Sequence, residues 1–156
     1  MNATDMIAAL DLQEHPEGGW YREVFRSKET VQTHRGPRSA STAIYFLLTE
    51  GTFSAWHRVT SDEVWHHYAG SPVTLYTLAQ GRVRHQQLGS VLAEGHHPQI
   101  VVAADVLQAA RVEAGWALCG CTVSPGFDFA DFEMPSREDL LSAWPACRTS
   151  ILALTR

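Results

Sequence analysis

Read for the alternation of apolar and polar positions, most of this chain falls into short segments with a period of two. Trp20 to Phe25 alternates as an edge strand does, and Ser41 to Thr49 is apolar at both parities, the pattern of a strand buried on both faces. Phe53 to Val59, Glu63 to Ala69, Val73 to Leu78, Arg82 to Leu88, Gln99 to Val102, Leu107 to Val112 and Trp116 to Val123 continue the series. Turn formers separate them, among them Glu50-Gly51, Thr60-Ser61-Asp62, Gly70-Ser71-Pro72, Gln80-Gly81 and Glu94-Gly95. Strands this short, recurring about every ten residues, build a sandwich or a barrel. With no helix between them, a parallel α/β sheet is excluded.

The two ends read differently. Met6 to Leu12 predicts a short helix with Thr4 or Asp5 as its N-cap, and Glu14 to Gly19 is a turn cluster. Lys28 to Ser39 is polar and reads as a loop. Near the other end, Phe127 to Glu133 alternates aromatic with acidic or small residues. That pattern predicts a strand with aromatics inward and carboxylates in water; the alternative is a lid over a barrel mouth. Ser136 opens a terminal helix through Leu140, Leu141 and Trp144, and Pro145 ends it. No repeat, linker or low-complexity stretch divides the chain. The expectation is one all-β domain over residues 1–156, its barrel core about residues 20–133, with short N- and C-terminal helices.

Composition narrows the partners. A chain of 156 residues, 45% hydrophobic and 19% charged, can bury a substantial core. The net charge of -5 argues against nucleic acid or an anionic membrane as a partner, since both reward a basic surface. Met1 to Leu10 lacks the basic and apolar regions of a secretory leader, and no apolar run reaches the roughly 20 residues of a membrane helix. A cytoplasmic location is expected. Cys119, Cys121 and Cys147 leave at least one thiol unpaired, and Cys119-Gly120-Cys121 has neither zinc-site nor thioredoxin spacing, so all three read as reduced thiols.

The chemistry concentrates in Gly51 through Gly70. His57 and residue 59 share one face of a strand, and a tight turn brings Glu63 of the next strand across from them. Gly51, His57, Glu63 and Gly70 fall at the spacings of the first cupin motif, with Val59 where that motif has its second histidine. Ala103 to Gln108 keeps the turn-then-strand form of the second motif, with Gln108 at the histidine position. The chain resembles the single-domain cupin branch known as cupin type 5. The resemblance runs through His15–Glu23, Ser41–Leu48, Phe53–Gly70, Gln108–Arg111 and Cys121–Phe132. It implies a homodimeric jelly-roll β-barrel, close to seed storage proteins and nucleotide-sugar epimerases, and no settled reaction.

Three functional classes follow. The leading one is a metal-independent isomerase or epimerase for a small polar metabolite or sugar derivative. His57 is its base, Glu63 the orienter, and Tyr45, Tyr68 or Tyr76 a source of the opposite proton. The second is a divalent-metal enzyme with His57, Glu63 and Gln108 as ligands, a poor set for a transition metal. His67 lies about 13 Å along the strand from Glu63, too far to join it, and His66 has the wrong parity unless a bulge turns it inward. The third is a non-catalytic small-molecule binder. Tyr45, Trp56, Trp65, His66, Tyr76 and Gln108 are candidates to line the ligand site, with Trp65 the best aromatic because it shares the face of Glu63. His15, His34 and His85 give no constellation, and His96-His97 reads as an exposed loop.

Overall fold

In the computed structural model, which describes residues 1–156, the alternating segments form strands close to the bounds their patterns set. Helix α1 (Ala3–Ala9) precedes β1 (Gln13–Glu14), β2 (Trp20–Arg26), β3 (Thr30–Thr33), β4 (Gly36–Ser39) and β5 (Thr42–Thr49). Then come β6 (Phe53–His57), β7 (Asp62–Gly70), β8 (Val73–Ala79), β9 (Arg82–Leu88), β10 (Gln99–Val102), β11 (Leu107–Arg111) and β12 (Trp116–Ser124). Helices α2 (Arg137–Ala143) and α3 (Arg148–Ala153) close the chain. No helix is long and apolar enough to cross a membrane.

A six-stranded sheet, β1-β2-β5-β12-β7-β10, faces a four-stranded sheet, β6-β11-β8-β9, and their pairings are antiparallel. This is a jelly roll whose two sheets are hydrogen-bonded separately rather than closed into one barrel. Phe46, Leu48, Trp65, Leu75, Leu88 and Ile100 fill the space between them. Outside, α2 and α3 cover the four-stranded sheet, where Leu140, Ile151 and Leu154 bury Trp56. At one end of the six-stranded sheet, Met6 and Leu12 cover Leu47.

Two bulges decide which side chains reach the interior. Between Ser54 and His57, β6 spends one residue more than its partner β11, which steps only from Ala110 to Gln108. Without the bulge, Ser54 and His57 would point to opposite faces; with it both point inward and Trp56 points to the helices. In β2 the extra residue is Val24, so Tyr21, Glu23 and Arg26 all line the interior opposite Phe46, Ile44 and Thr42.

Four expectations are corrected. The first helix starts earlier, capped by Asn2, which exchanges a reciprocal capping box with Asp5, and it ends before Asp11 at φ 52°. Lys28 to Ser39 is not all loop: β3 and β4 form a hairpin, invisible to periodicity because neither strand buries an apolar face. Phe127 to Glu133 is no strand. Asp128 caps a short 3₁₀ turn over Phe129–Asp131, and the Asp131 carboxylate is buried against Arg38 rather than turned to water. Beyond Pro145 a further helix, α3, follows.

Candidate functional site

The interior opens at one end into a cavity of about 490 Å³, with a polar floor and an aromatic mouth. At the floor, the bulge in β6 aims Ser54 and His57 at one carboxyl, that of Glu17. Ser54 Oγ donates to Glu17 Oε1 at 2.9 Å, and His57 Nε2 lies 3.1 Å from Glu17 Oε2. The other ring nitrogen fixes the tautomer. His57 Nδ1 lies 2.7 Å from the Ala55 carbonyl, which only accepts, so Nδ1 carries the proton and Nε2 accepts one from the Glu17 carboxyl. The segment carrying Glu17 presses hard on β6. A Cβ on Gly18, at φ 109°, would stand 2.0 Å from the Phe53 carbonyl oxygen.

The second floor carboxyl, Glu63 of β7, accepts from Gln108 Nε2 at 2.6 Å. Gln108 is oriented in turn by Trp65, whose indole N–H donates to Gln108 Oε1 at 2.8 Å. Because an indole only donates, the amide oxygen must face Trp65 and the amide NH2 must face Glu63. Cys121 lies beside Glu63, its thiol pushed up by burial and by the carboxyls around it.

These groups are neutral for one reason: burial disfavours every charged form here. Burial raises Glu17 to about 8 against the opposing pull of the Ser54 hydrogen bond and of Arg156. Glu63 is raised by burial and by Glu17, against His57 and its hydrogen bonds. His57 is lowered by burial, although Glu63 and the Ala55 carbonyl act the other way. His15 is held down at about 3 by burial and by His57. Its Nδ1 accepts the Glu17 backbone N–H at 3.1 Å.

The mouth is made by Phe127, Phe129 and Phe132: Phe129 and Phe132 pack against His15, Phe132 also against His57, and Phe127 against the other two phenylalanines. Arg26 anchors this flap by donating to the Phe127 carbonyl while it forks onto Glu23. Arg38, from the β3–β4 hairpin, forks onto Asp131 at 2.8 and 2.9 Å, and Arg58 holds Glu133 at 2.8 Å.

Residues 4–135 match the family described as Cupin superfamily (DUF985). The chain belongs to that family. This cupin is similar throughout to protein SO0799 of Shewanella oneidensis, at 39% identity and a TM-score of 0.94 over 100% of this chain and 98% of that one. A protein from Leishmania major is 32% identical, with a TM-score of 0.94 over 99% of each chain. Protein YML079W of Saccharomyces cerevisiae is 27% identical over 154 residues, spanning 87% of this chain and 76% of its own.

Both motif positions keep their geometry in this cupin. Val59 turns into the cavity where the histidine would stand, so the direction survives and the donor is lost. Asp105 adopts φ 65° where the second motif has glycine, a left-handed conformation that Asp tolerates better than most residues.

Of the residues singled out in sequence, His57 and Glu63 line the cavity, and Trp65 and Gln108 lie behind Glu63 as its support. The other four are not brought there. Trp56 is fully buried on the opposite face of β6, its indole N–H on the Ser150 carbonyl. Tyr76 packs against Trp56, with the Arg111 guanidinium over its ring. Tyr45 and His66 lie on the outer face of the six-stranded sheet, where both pack against Tyr68 and His66 also meets Thr122. Tyr21 is the phenol that does line the cavity.

Sequence reasoning missed Glu17 and His15. In Glu14-His15-Pro16-Glu17-Gly18-Gly19 both read as turn residues, and only their place within the family-like stretch His15–Glu23 marked them.

The donor set does not fit a metal ion. Gln108 turns its amide NH2 to Glu63 and its oxygen to Trp65, and His15 Nδ1 is occupied by a backbone N–H. No group of three or more His, Cys, Asp or Glu side chains converges in a geometry that could hold one.

Proposed function

We propose that this cupin is a proton-transfer enzyme of isomerase or epimerase type, acting on a small polar metabolite or sugar derivative without a metal. One observation carries the reading: a buried imidazole and a buried carboxyl share one proton across 3.1 Å at the floor of an open cavity. Such a pair changes its protonation near neutral pH, where proton transfer is most useful.

The step is an exchange at a carbon beside a carbonyl. The Glu17 proton passes to His57 Nε2, and the carboxylate so freed takes the proton from carbon while the C–H electron pair moves into an enolate. The imidazolium formed stays hydrogen-bonded to Glu17 and to the Ala55 carbonyl. Glu63, protonated, donates a hydrogen bond to the enolate oxygen. Return of the proton from Glu17 restores the substrate; delivery to the other face from Tyr21 gives the epimer, after which the phenolate regains a proton from solvent and the imidazolium gives its own up. Glu17 therefore takes the part of base expected of His57, the Ala55 carbonyl the orienting role expected of Glu63, and Tyr21 the role expected of Tyr45, Tyr68 or Tyr76.

Solvent exchange tests this. Aldoses, ketoses and their amino derivatives incubated with the protein in deuterium oxide should include one that loses a C–H signal by proton NMR. His57→Asn and Glu17→Gln should each slow that exchange by about 10²–10⁴-fold. Exchange that persists in both variants would sink the mechanism, and no exchange in any sugar would leave a binding protein.

A further inference from the structure

We propose that the cavity receives a small organic cation, an alkylammonium or quaternary ammonium group held between the carboxyls of Glu17 and Glu63 and the aromatic rings of the mouth. This deepens the proposed function by naming the ligand class at the same site, and it rests on that cavity being the working one.

The charge of the lining is lopsided. Glu17, Glu23, Glu63 and Asp128 bring four carboxyls to the cavity, and Arg26 is the single guanidinium facing them. Arg26 spends Nε and Nη2 on Glu23, at 2.8 Å each, and Nη2 again on the Phe127 carbonyl at 2.9 Å. An anionic ligand would find little of it free. Arg156, the other cation near the floor, donates to the backbone carbonyls of Glu17 and Phe53 and lies over the Phe53 ring; its hydrogen bonds do not reach the Glu17 carboxyl. His15 and His57 are neutral in this burial and supply no charge.

Glu17 and Glu63 are thus two buried acids with neutral hydrogen-bond partners, Ser54 and His57 for one, Gln108 and Cys121 for the other. Burying a carboxylate without a counter-charge is costly, so both stay protonated while the cavity holds no cation. A cation entering supplies the counter-charge. One carboxyl O–H bond then breaks, its electron pair staying on the carboxylate and its proton leaving to solvent. The rings favour the same ligand. Phe127 and Phe129 stand 4.9 Å apart at 83°, so one turns its face where the other turns its edge, and Phe132 and Tyr21 join them at the cavity wall. Aromatic faces carry negative charge density and attract a poorly hydrated ammonium.

Choline and its uncharged carbon isostere 3,3-dimethylbutan-1-ol differ in charge at nearly constant shape, and acetate provides the anion. Calorimetric titration at pH 7, in two buffers of different ionisation heat, reads affinity and proton release together. Choline should bind at least about 10-fold more tightly than the isostere, with net proton release and no heat from acetate. Glu63→Gln should weaken choline by about 10-fold, and Phe129→Ala, at the half-exposed rim, by severalfold. Equal affinity for the isostere, binding of acetate, or no choline binding up to about 20 mM would each overturn the proposal. Choline binding without deuterium exchange in any sugar would defeat the proton-transfer reading and leave this one standing. Exchange on neutral sugars without choline binding would do the reverse.

Discussion

Burial holds Glu17 and His57 in their neutral forms, against the pull of Arg156 on the one and of Glu63 on the other. The consequence for stability has a definite sign. Glu17 ionises near its ordinary 4.5 in the unfolded chain and near 8 in the folded one, so unfolding releases a proton between those values. Stability from this group is complete below pH 4.5 and is lost as pH rises through 8; Glu63 acts in the same direction. His15 and His57 act oppositely. Their folded forms resist protonation, so stability is present above their ordinary 6.5 and is lost as pH falls toward the folded value, about 3 for His15. Chemical denaturation against pH should therefore give a plateau between about pH 4.5 and 6.5 with a falling limb on each side. Glu17→Gln keeps the shape and the bonds to Ser54 and His57 but cannot ionise. It should flatten the alkaline limb by roughly 2 kcal/mol between pH 6.5 and 8. An unchanged alkaline limb would show that Glu17 is already ionised in the folded protein.

At the scale of elements, the site is made by a bulge, a turn and a flap. The bulge in β6 is what lets Ser54 and His57 reach the same carboxyl, and the Gly18 turn is what lets that carboxyl approach them. The flap from Phe127 to Glu133 has few backbone bonds of its own and depends on three arginines, Arg26, Arg38 and Arg58. Arg38 ties it to the β3–β4 hairpin, so these two surface elements should open together. Arg38→Ala is expected to raise amide hydrogen exchange across residues 127–133 while β5 and β12 keep their protection. Exchange confined to the hairpin would show that Arg38 does not hold the flap shut.

At the scale of the whole molecule, the outer face of the six-stranded sheet is only partly covered. Register aligns Phe25, Ala43, Thr122, Val64 and Val101 in one row across five strands, and Phe25 and Val101 are 54% and 64% exposed. Tyr68, also 54% exposed, lies over Gly120 beside that row. An apolar stripe across a sheet face suits a twofold contact with a second copy. Light scattering should give twice the 17.3 kDa of one chain, and Phe25→Asp should shift it toward one. A monomer at micromolar concentration in the parent protein would show that the stripe has another use.

The period-two pattern by itself determined most of the strands and a sandwich or barrel, because alternation along a strand is a local property that burial writes directly into sequence; the jelly roll and the pairing of His57 with Glu63 in one interior were implied by the spacing of the cupin-like motif. The motif spacing reached Gln108 for the same reason: its turn and strand are local. Tertiary structure alone decided which carboxyl meets His57. Glu17 lies 40 positions away in a glycine turn with no periodicity, and it arrives only because β6 bulges and Gly18 has no side chain. The same holds for Trp56, Tyr45 and Tyr76, whose apolar character fits either face of a strand. Which face each one took was fixed by bulges and by the helices and sheets packed outside, none of which a single strand's sequence records.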